Sequence, residues 1–382
     1  MFDRTHRLRR GAVGAVTVLV AAATMAACGG GNENGQNSLD PAGPQGHKIL
    51  NLFTPFFWVA VVVGLGVLGG TIFVALRFRE KPGEERNPKQ VHGNSVLEIS
   101  WTIVPAVILA VMAVFTIPVI FQLNEEPKGD DVVHIRVTGR QWFWEYEYQD
   151  EKFFTATEMH IPINRPVSMD VTAPPDGVIH SFWIPELNGK KDAVPGRDDF
   201  LKFEADKPGT YLGQCAEYCG LSHADMRMRV IAQTESDYDA WVRSQQQELD
   251  AQQMQFVNTT LGDGDPAQNI KGWGCNACHS FQPVSKAETG PNLTHVGDRT
   301  TFAGGIYQTN ADNLTKWVHN APSRKPMGDL EASRKMPNFS SQGMTDEQAQ
   351  EIAEFLCNTA TSQENAQRCL TGTGGASTGL ND

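Results

Sequence analysis

An excess of positive charge, internal repeats and unassigned cysteines are all missing from this chain. Its formal net charge is −12, which argues against a nucleic-acid partner, whose phosphates call for surplus Lys and Arg. With no visible repeat, its 382 residues read as two or three distinct domains of about 100–200 residues each. None of the seven cysteines is left over: Cys28 adjoins a signal-like stretch, and Cys215/Cys219, Cys275/Cys278 and Cys357/Cys369 form close pairs. Charge of either sign is absent from Gly11–Ala27, Phe53–Leu76 and Ile99–Leu123, whereas the rest reads as soluble protein.

The first uncharged run follows basic Arg4–Arg10 and ends in Ala26-Ala27-Cys28, the pattern of an export signal over residues 1–27. It is shorter than the about 20 residues a membrane span needs. Met25-Ala26-Ala27-Cys28 resembles a bacterial lipoprotein signal in which Cys28 is lipidated; ordinary cleavage and an uncleaved anchor are the alternatives. The other two runs are long enough to span. Between them lie Arg77, Arg79, Lys81, Arg86 and Lys89, so this loop is cytoplasmic and everything beyond about residue 124 is extracytoplasmic.

Residues 28–47, rich in Gly, Asn, Gln and Pro, read as a flexible tether, and 48–124 as a two-helix hairpin. Short Val-, Ile-, Phe- and Tyr-rich segments with regular turn signals over 125–234 predict an all-β sandwich or barrel. Residues 235–261 read as a polar helix and linker. Helix-like pieces occupy 262–370, and 371–382 read as a disordered tail.

Within Cys215-Ala-Glu217-Tyr-Cys219-Gly-Leu-Ser-His223-Ala-Asp-Met226 stand two thiols, an imidazole and a thioether, with His180 upstream. Soft sulfur ligands with imidazole favour copper. One cysteine would suit a mononuclear site; two can each bridge a pair of metals, giving a dinuclear centre. A structural disulfide leaves His180, His223 and Met226 unexplained, and a Cys2His2 zinc site has no use for Met226. Cys275-Asn-Ala-Cys278-His279 is the c-type haem attachment pattern, with both thiols covalent and His279 axial. The second axial ligand should be a downstream methionine; Met336, Met327 and Met344 are the candidates. Cys357 and Cys369 enclose a short extracytoplasmic segment, predicting a disulfide of roughly 3 kcal/mol in the chain-entropy model, or else two separately buried thiols.

On the copper motif and its distant histidine, residues 48–232 resemble subunit II of cytochrome c oxidase. That resemblance implies a transmembrane α-helical hairpin and a cupredoxin-like barrel carrying dinuclear copper A. It makes Cys215 and Cys219 bridging, His180 and His223 terminal and Met226 a weak axial ligand, and it adds the Glu217 carbonyl as a ligand. It also assigns the Glu217 carboxylate to a magnesium shared with subunit I. The aromatic segment Gly139–Tyr148 resembles the one through which such subunits receive electrons, with Trp144 at the receiving position. Lys191-Asp192-Ala-Val-Pro195-Gly-Arg197 resembles the segment that docks on subunit I, and Glu98 a carboxylate at the entrance of a proton channel.

Met336-Pro337-Asn-Phe339 and Gly290-Pro-Asn-Leu293 resemble segments of class I cytochromes c, implying a mainly α-helical haem c domain with Met336 axial. The function implied is an electron relay in a proton-translocating oxidase of the bacterial cell membrane. An external donor, such as a cytochrome c or a quinol–cytochrome c reductase complex, reduces haem c. Electrons then pass to copper and to subunit I, among other oxidase subunits, with membrane lipid as the remaining partner. A free-standing anchored carrier and a nitric oxide reductase module are the competing classes; a quinol oxidase is disfavoured because that branch lacks the copper ligands.

Overall fold

The computed structural model describes residues 36–79, 83, 90, 92–129, 131–265, 270–328, 330–331 and 333–372. The export signal, Cys28, most of the basic loop and the tail beyond residue 372 lie outside them. Two long apolar helices come first, α1 (Pro44–Arg77) and α2 (Ser95–Asn124). Their most apolar stretches are wholly unburied within the chain. Side chains such as Trp58, Leu65, Ile72, Trp101, Leu109 and Phe121 are exposed along them, as expected of helices whose solvent is lipid. Asn94 caps α2 by accepting from Val96 N and Leu97 N at 3.1 and 3.2 Å, and Glu98 Oε1 accepts from Asn94 N at 3.3 Å.

At 1.5 Å per residue α1 is about 50 Å long, more than the roughly 30 Å hydrocarbon core. Its surplus first turn lies inside the segment expected to be a tether and packs on the β domain. Ala42 N donates to Glu186 O at 2.8 Å, Asp206 N to Ala42 O at 2.8 Å, and Gly46 N to Leu187 O at 3.1 Å. Gly43 and Gly46 permit this approach, because a Cβ on either would strike Glu204 O or Pro41. Gly43 and Gly46, two of the glycines that suggested flexibility, are here close-packing residues.

Strands β1 (Val133–Arg140), β2 (Phe143–Tyr148), β3 (Phe153–Ala156), β5 (Val167–Thr172) and β8 (Asp199–Phe203) form one sheet in the order β3-β2-β1-β5-β8. A second sheet runs β4-β10-β9, with β4 (Glu158–Pro162), β9 (Gly209–Gln214) and β10 (Arg227–Gln233). Strand β1 alternates strictly, burying Val133, Ile135 and Val137, the period-two signature of a half-buried strand. The core between the sheets holds Trp144, Tyr146, Met159, Ile161, Met169 and Phe182. A separate pair joins β6 (His180–Phe182) to β7 (Lys191–Ala193), with His180 opposite Ala193.

The expected linker is also built into the fold. Helix α3 (Glu235–Gln245) buries Tyr238 and stacks Trp241 on His160, ring centroids 4.2 Å apart at 6°. After the short helix α4 (Ala251–Phe256), Val257 and Leu261 enter a second core with Trp273, Phe281, Leu314, Phe339, Ile352 and Leu356. A segment expected to be polar thus supplies apolar side chains to both neighbours. That core is closed by α5 (Ala311–Arg324), kinked at Asn320, by α6 (Asp346–Asn358) and by α7 (Gln363–Thr371). A disulfide joins Cys357 on α6 to Cys369 on α7, Cα–Cα 5.3 Å.

The second domain sits against the β domain through buried polar contacts. Glu158, 2% exposed, accepts from Thr301 N and Oγ1, both at 2.8 Å, and from Thr300 N and Oγ1. Arg299 donates to Thr155 Oγ1 at 3.2 Å, Asn292 to Phe154 O at 2.8 Å, and Arg227 N to Gly304 O at 2.8 Å.

Candidate metal centre and haem cleft

Five sulfur and nitrogen donors converge at one end of the β domain. Cys215 Sγ lies 3.8 Å from His180 Nδ1 and 3.8 Å from Cys219 Sγ; Cys219 Sγ lies 3.5 Å from His223 Nδ1 and 3.8 Å from Met226 Sδ. The two sulfurs are far beyond the about 2.04 Å of a disulfide. The Glu217 carbonyl stands 3.3 Å from Cys215 Sγ, while the Glu217 carboxylate is exposed. Local structure explains the convergence. The chain from Cys215 to Met226 closes on itself through Cys215 N to Met226 O at 2.9 Å, and a 3-10 turn at His223–Asp225 swings His223 and Met226 inward. His180 arrives on β6, in space left by Gly139, where a Cβ would lie 2.9 Å from the ring.

The protonation of the pair suits a cation. Hydrogen bonding with Cys219 first, and then with His180, draws the Cys215 thiol down to about 3, while the shared proton pushes Cys219 up. One negative sulfur is already favoured, and a metal would displace the remaining proton, as thiolate ligation requires. The donor set of two thiolates, two imidazoles, a thioether and a carbonyl fits copper and is too soft for magnesium or calcium.

A cleft opens between the two domains. Cys275, Cys278 and His279 line it, with Trp273, Phe281, Leu293, Phe302, Leu314, Trp317, Met327, Met336, Phe339 and Ile352. Both thiols are free. His279 Nδ1 lies 2.9 Å from Pro291 O, which takes the Nδ1 proton and leaves Nε2 as the donor atom, the arrangement of a ligating histidine. Burial holds its imidazole below the ordinary histidine range, in the neutral form that binds iron. A planar, mainly apolar macrocycle with covalent anchors fits this lining. Both Met336 and Met327 reach the cleft, but Met336 packs with the second domain's core and Met327 with the β domain's. Met344 is buried in the second core.

Trp144, expected to receive electrons, lies in the β-domain core and not on the cleft. It is fully buried, edge-on to His180 and Phe182 at 5.9 and 5.1 Å. Trp142 lines the cleft instead, and its Nε1 donates to Cys219 O at 3.0 Å, beside Gln141 Nε2 at 2.8 Å. Trp142 stands in the turn before β2 and Trp144 inside the strand, and two tryptophans two residues apart in sequence carry no sign of which one meets the cleft.

The family described as cytochrome c oxidase subunit II, transmembrane domain, matches residues 31–119, and that described as its periplasmic domain matches residues 152–233. Cytochrome c oxidase subunit 2 of Alkalihalophilus pseudofirmus is 36% identical over 299 residues, covering 77% of this chain and 84% of its own. The chain belongs to the cytochrome c oxidase subunit II family. It is a membrane protein with two transmembrane helices and an extracytoplasmic copper-type β domain, a subunit of a haem–copper oxidase that works with subunit I. A quinol oxidase subunit 2 from Bacillus cereus is 34% identical over 214 residues, covering 55% of this chain and 72% of its own. The crystal structure of the periplasmic domain of subunit II of cytochrome oxidase from Bradyrhizobium japonicum is 35% identical, covers 31% of this chain and 95% of that one, and has a TM-score of 0.29.

In this subunit II, β7 places the exposed Asp192 opposite Ser181, next to His180. Exposed Tyr218 and Leu221 flank the candidate metal centre, at 71% and 55%. Sequence reasoning missed Trp142, Glu158 and Lys325, the last a buried ammonium at the domain junction whose pKa burial lowers to about 7.

Proposed function

We propose that this chain is the electron-receiving subunit of a proton-translocating cytochrome c oxidase. It relays electrons from an external donor, such as a cytochrome c or a quinol–cytochrome c reductase complex, through its own haem c and a dinuclear copper A centre to the oxygen-reducing site in subunit I. Copper and haem, when bound, supply the one-electron chemistry that no side chain here provides. Cys275 and Cys278 would hold the macrocycle covalently, with His279 and Met336 available to its iron. Cys215 and Cys219 would hold the two coppers between them, with His180, His223, Met226 and the Glu217 carbonyl completing the set. The Glu217 carboxylate faces outward for a magnesium shared with subunit I, and Glu98 serves the entrance of a proton channel.

The observation that carries this reading is Trp142, which lines the cleft and bonds the carbonyl of a copper-binding cysteine. An aligned relative supports it as well: a match over 77% of this chain includes Cys275–His279 wherever it begins, whereas the quinol oxidase match covers 55%. The test is to purify the native complex, measure haem bound covalently to this chain after denaturation, count copper, and follow oxygen uptake with reduced cytochrome c. Haem released by denaturation, or turnover with quinol but not cytochrome c, would sink the proposal.

Trp142→Phe keeps a ring and removes one N–H···O bond. It should slow copper reduction by the attached haem roughly tenfold, the rate equivalent of one net hydrogen bond. Trp144→Phe should leave that rate near native, because Trp144 Nε1 has no hydrogen-bond partner among the described residues. Rapid mixing with a reductant that meets haem first separates the two; equal rates in both variants would return the role to neither residue.

A further inference from the structure

Lys325 follows α5 and points out of the haem domain into the copper domain. Its Nζ donates to Trp142 O at 2.8 Å, Asp225 O at 2.8 Å and Ala303 O at 2.7 Å. The residue is 2% exposed. An ammonium has three protons, and three carbonyls take them, two from the copper domain and one from the haem domain. A neutral amine would leave one of these acceptors without a donor. No carboxylate hydrogen-bonds the ammonium among the described residues; the charge is held by these carbonyl dipoles and by the attraction of Asp225 and Cys219, against a cost of burial that an apolar side chain would avoid.

The cradle is shaped around that ammonium. Gly304 turns at φ +78, and a Cβ there would lie 2.6 Å from Lys325 Nζ and 2.8 Å from both Asp225 O and Trp142 O. The Gly304 carbonyl accepts from Arg227 N at 2.8 Å, so the turn and the ammonium close the junction together. Both copper-domain carbonyls belong to residues next to the relay. Trp142 bonds Cys219 O through its indole, and Asp225 precedes the ligand Met226.

We propose that Lys325 is a positioning residue for electron transfer, an ammonium latch that fixes the haem domain on the copper domain and holds the Trp142 backbone in register with Cys219. This rests on reading the cleft as a haem c site. Removing the latch leaves the metal ligands untouched but lets the junction open, so that the cleft and Trp142 spend less time in contact.

The test uses the full chain in its oxidase complex and two variants. Lys325→Met keeps the side-chain length without its donors, and Gly304→Ala keeps the ammonium but fills its cradle. The Arg227 amide, whose acceptor is Gly304 O, reports the closed junction by hydrogen exchange with or without haem. In both variants its exchange should quicken about tenfold or more, the change that follows loss of one to two net hydrogen bonds. Copper reduction by the attached haem should slow in step, with the haem absorption and copper spin-resonance signals native. Native exchange in Lys325→Met overturns the latch, and faster exchange with native transfer overturns its role in electron transfer. If Lys325→Met loses copper, Gly304→Ala decides by the same two readouts. Lack of covalent haem in the unmodified chain would defeat the haem reading, leaving Arg227 exchange to judge the latch.

Discussion

Cys219→Ser should abolish the spin-resonance signal of two coppers sharing one unpaired electron, and oxygen uptake with cytochrome c should fall by more than about 100-fold, beyond the 10–100-fold typical of outer-shell changes at metal sites. The Cys219 sulfur touches three other donor atoms of the site. It stands 3.5–3.8 Å from Cys215 Sγ, His223 Nδ1 and Met226 Sδ, so a harder, protonated hydroxyl there removes a bridging ligand and the partner that lowers Cys215. The β domain should remain folded, because its core of Trp144, Met159, Met169 and Phe182 does not depend on this atom. Covalent haem, on Cys275 and Cys278, should persist as well. A variant that keeps a coupled two-copper spectrum would show that Cys219 does not bridge, and loss of haem together with copper would mean that the change unfolds the chain rather than empties one site.

What was legible in the sequence was local. The hairpin followed from missing charge, and the residues read as copper and haem ligands crowd into 12 and five positions, so spacing alone brought most of them together. His180 was the exception, 35 residues upstream of Cys215, and it is placed by β6 pairing with β7. What stayed hidden was the junction. Lys325 meets Trp142 across 183 positions and Glu158 meets Thr300 across 142, and neither stands out from surface charges in sequence. The residues read as tether and linker failed for a related reason. Gly43, Gly46, Val257 and Leu261 look like punctuation or isolated apolar positions until another domain is seen to pack on them.

Glu158→Ala carries the larger structural penalty, because the carboxylate is the hub of the junction rather than a surface charge. It is 2% exposed and accepts from two backbone amides and two hydroxyls of Thr300 and Thr301. It also offsets the buried guanidinium of Arg299, whose pKa burial pulls to about 10 against the attraction of Glu158. Arg229 beside it is held below its ordinary value in the same way. Truncation removes the acceptor of four donors and weakens the electrostatic support of two buried cations, which breaks a buried network from one side and costs about 3–5 kcal/mol. For a domain of this size that is a fall in unfolding midpoint of about 10 °C or more, measured on the full chain by calorimetry. Glu158→Gln keeps an acceptor but loses the charge, so its midpoint should fall between the two. The copper spectrum should survive at low temperature in both, since no ligand contacts Glu158. A Glu158→Ala midpoint equal to the unmodified chain's would mean that the second domain is held without this carboxylate, by Lys325 and by ion pairs such as Arg140 with Glu288.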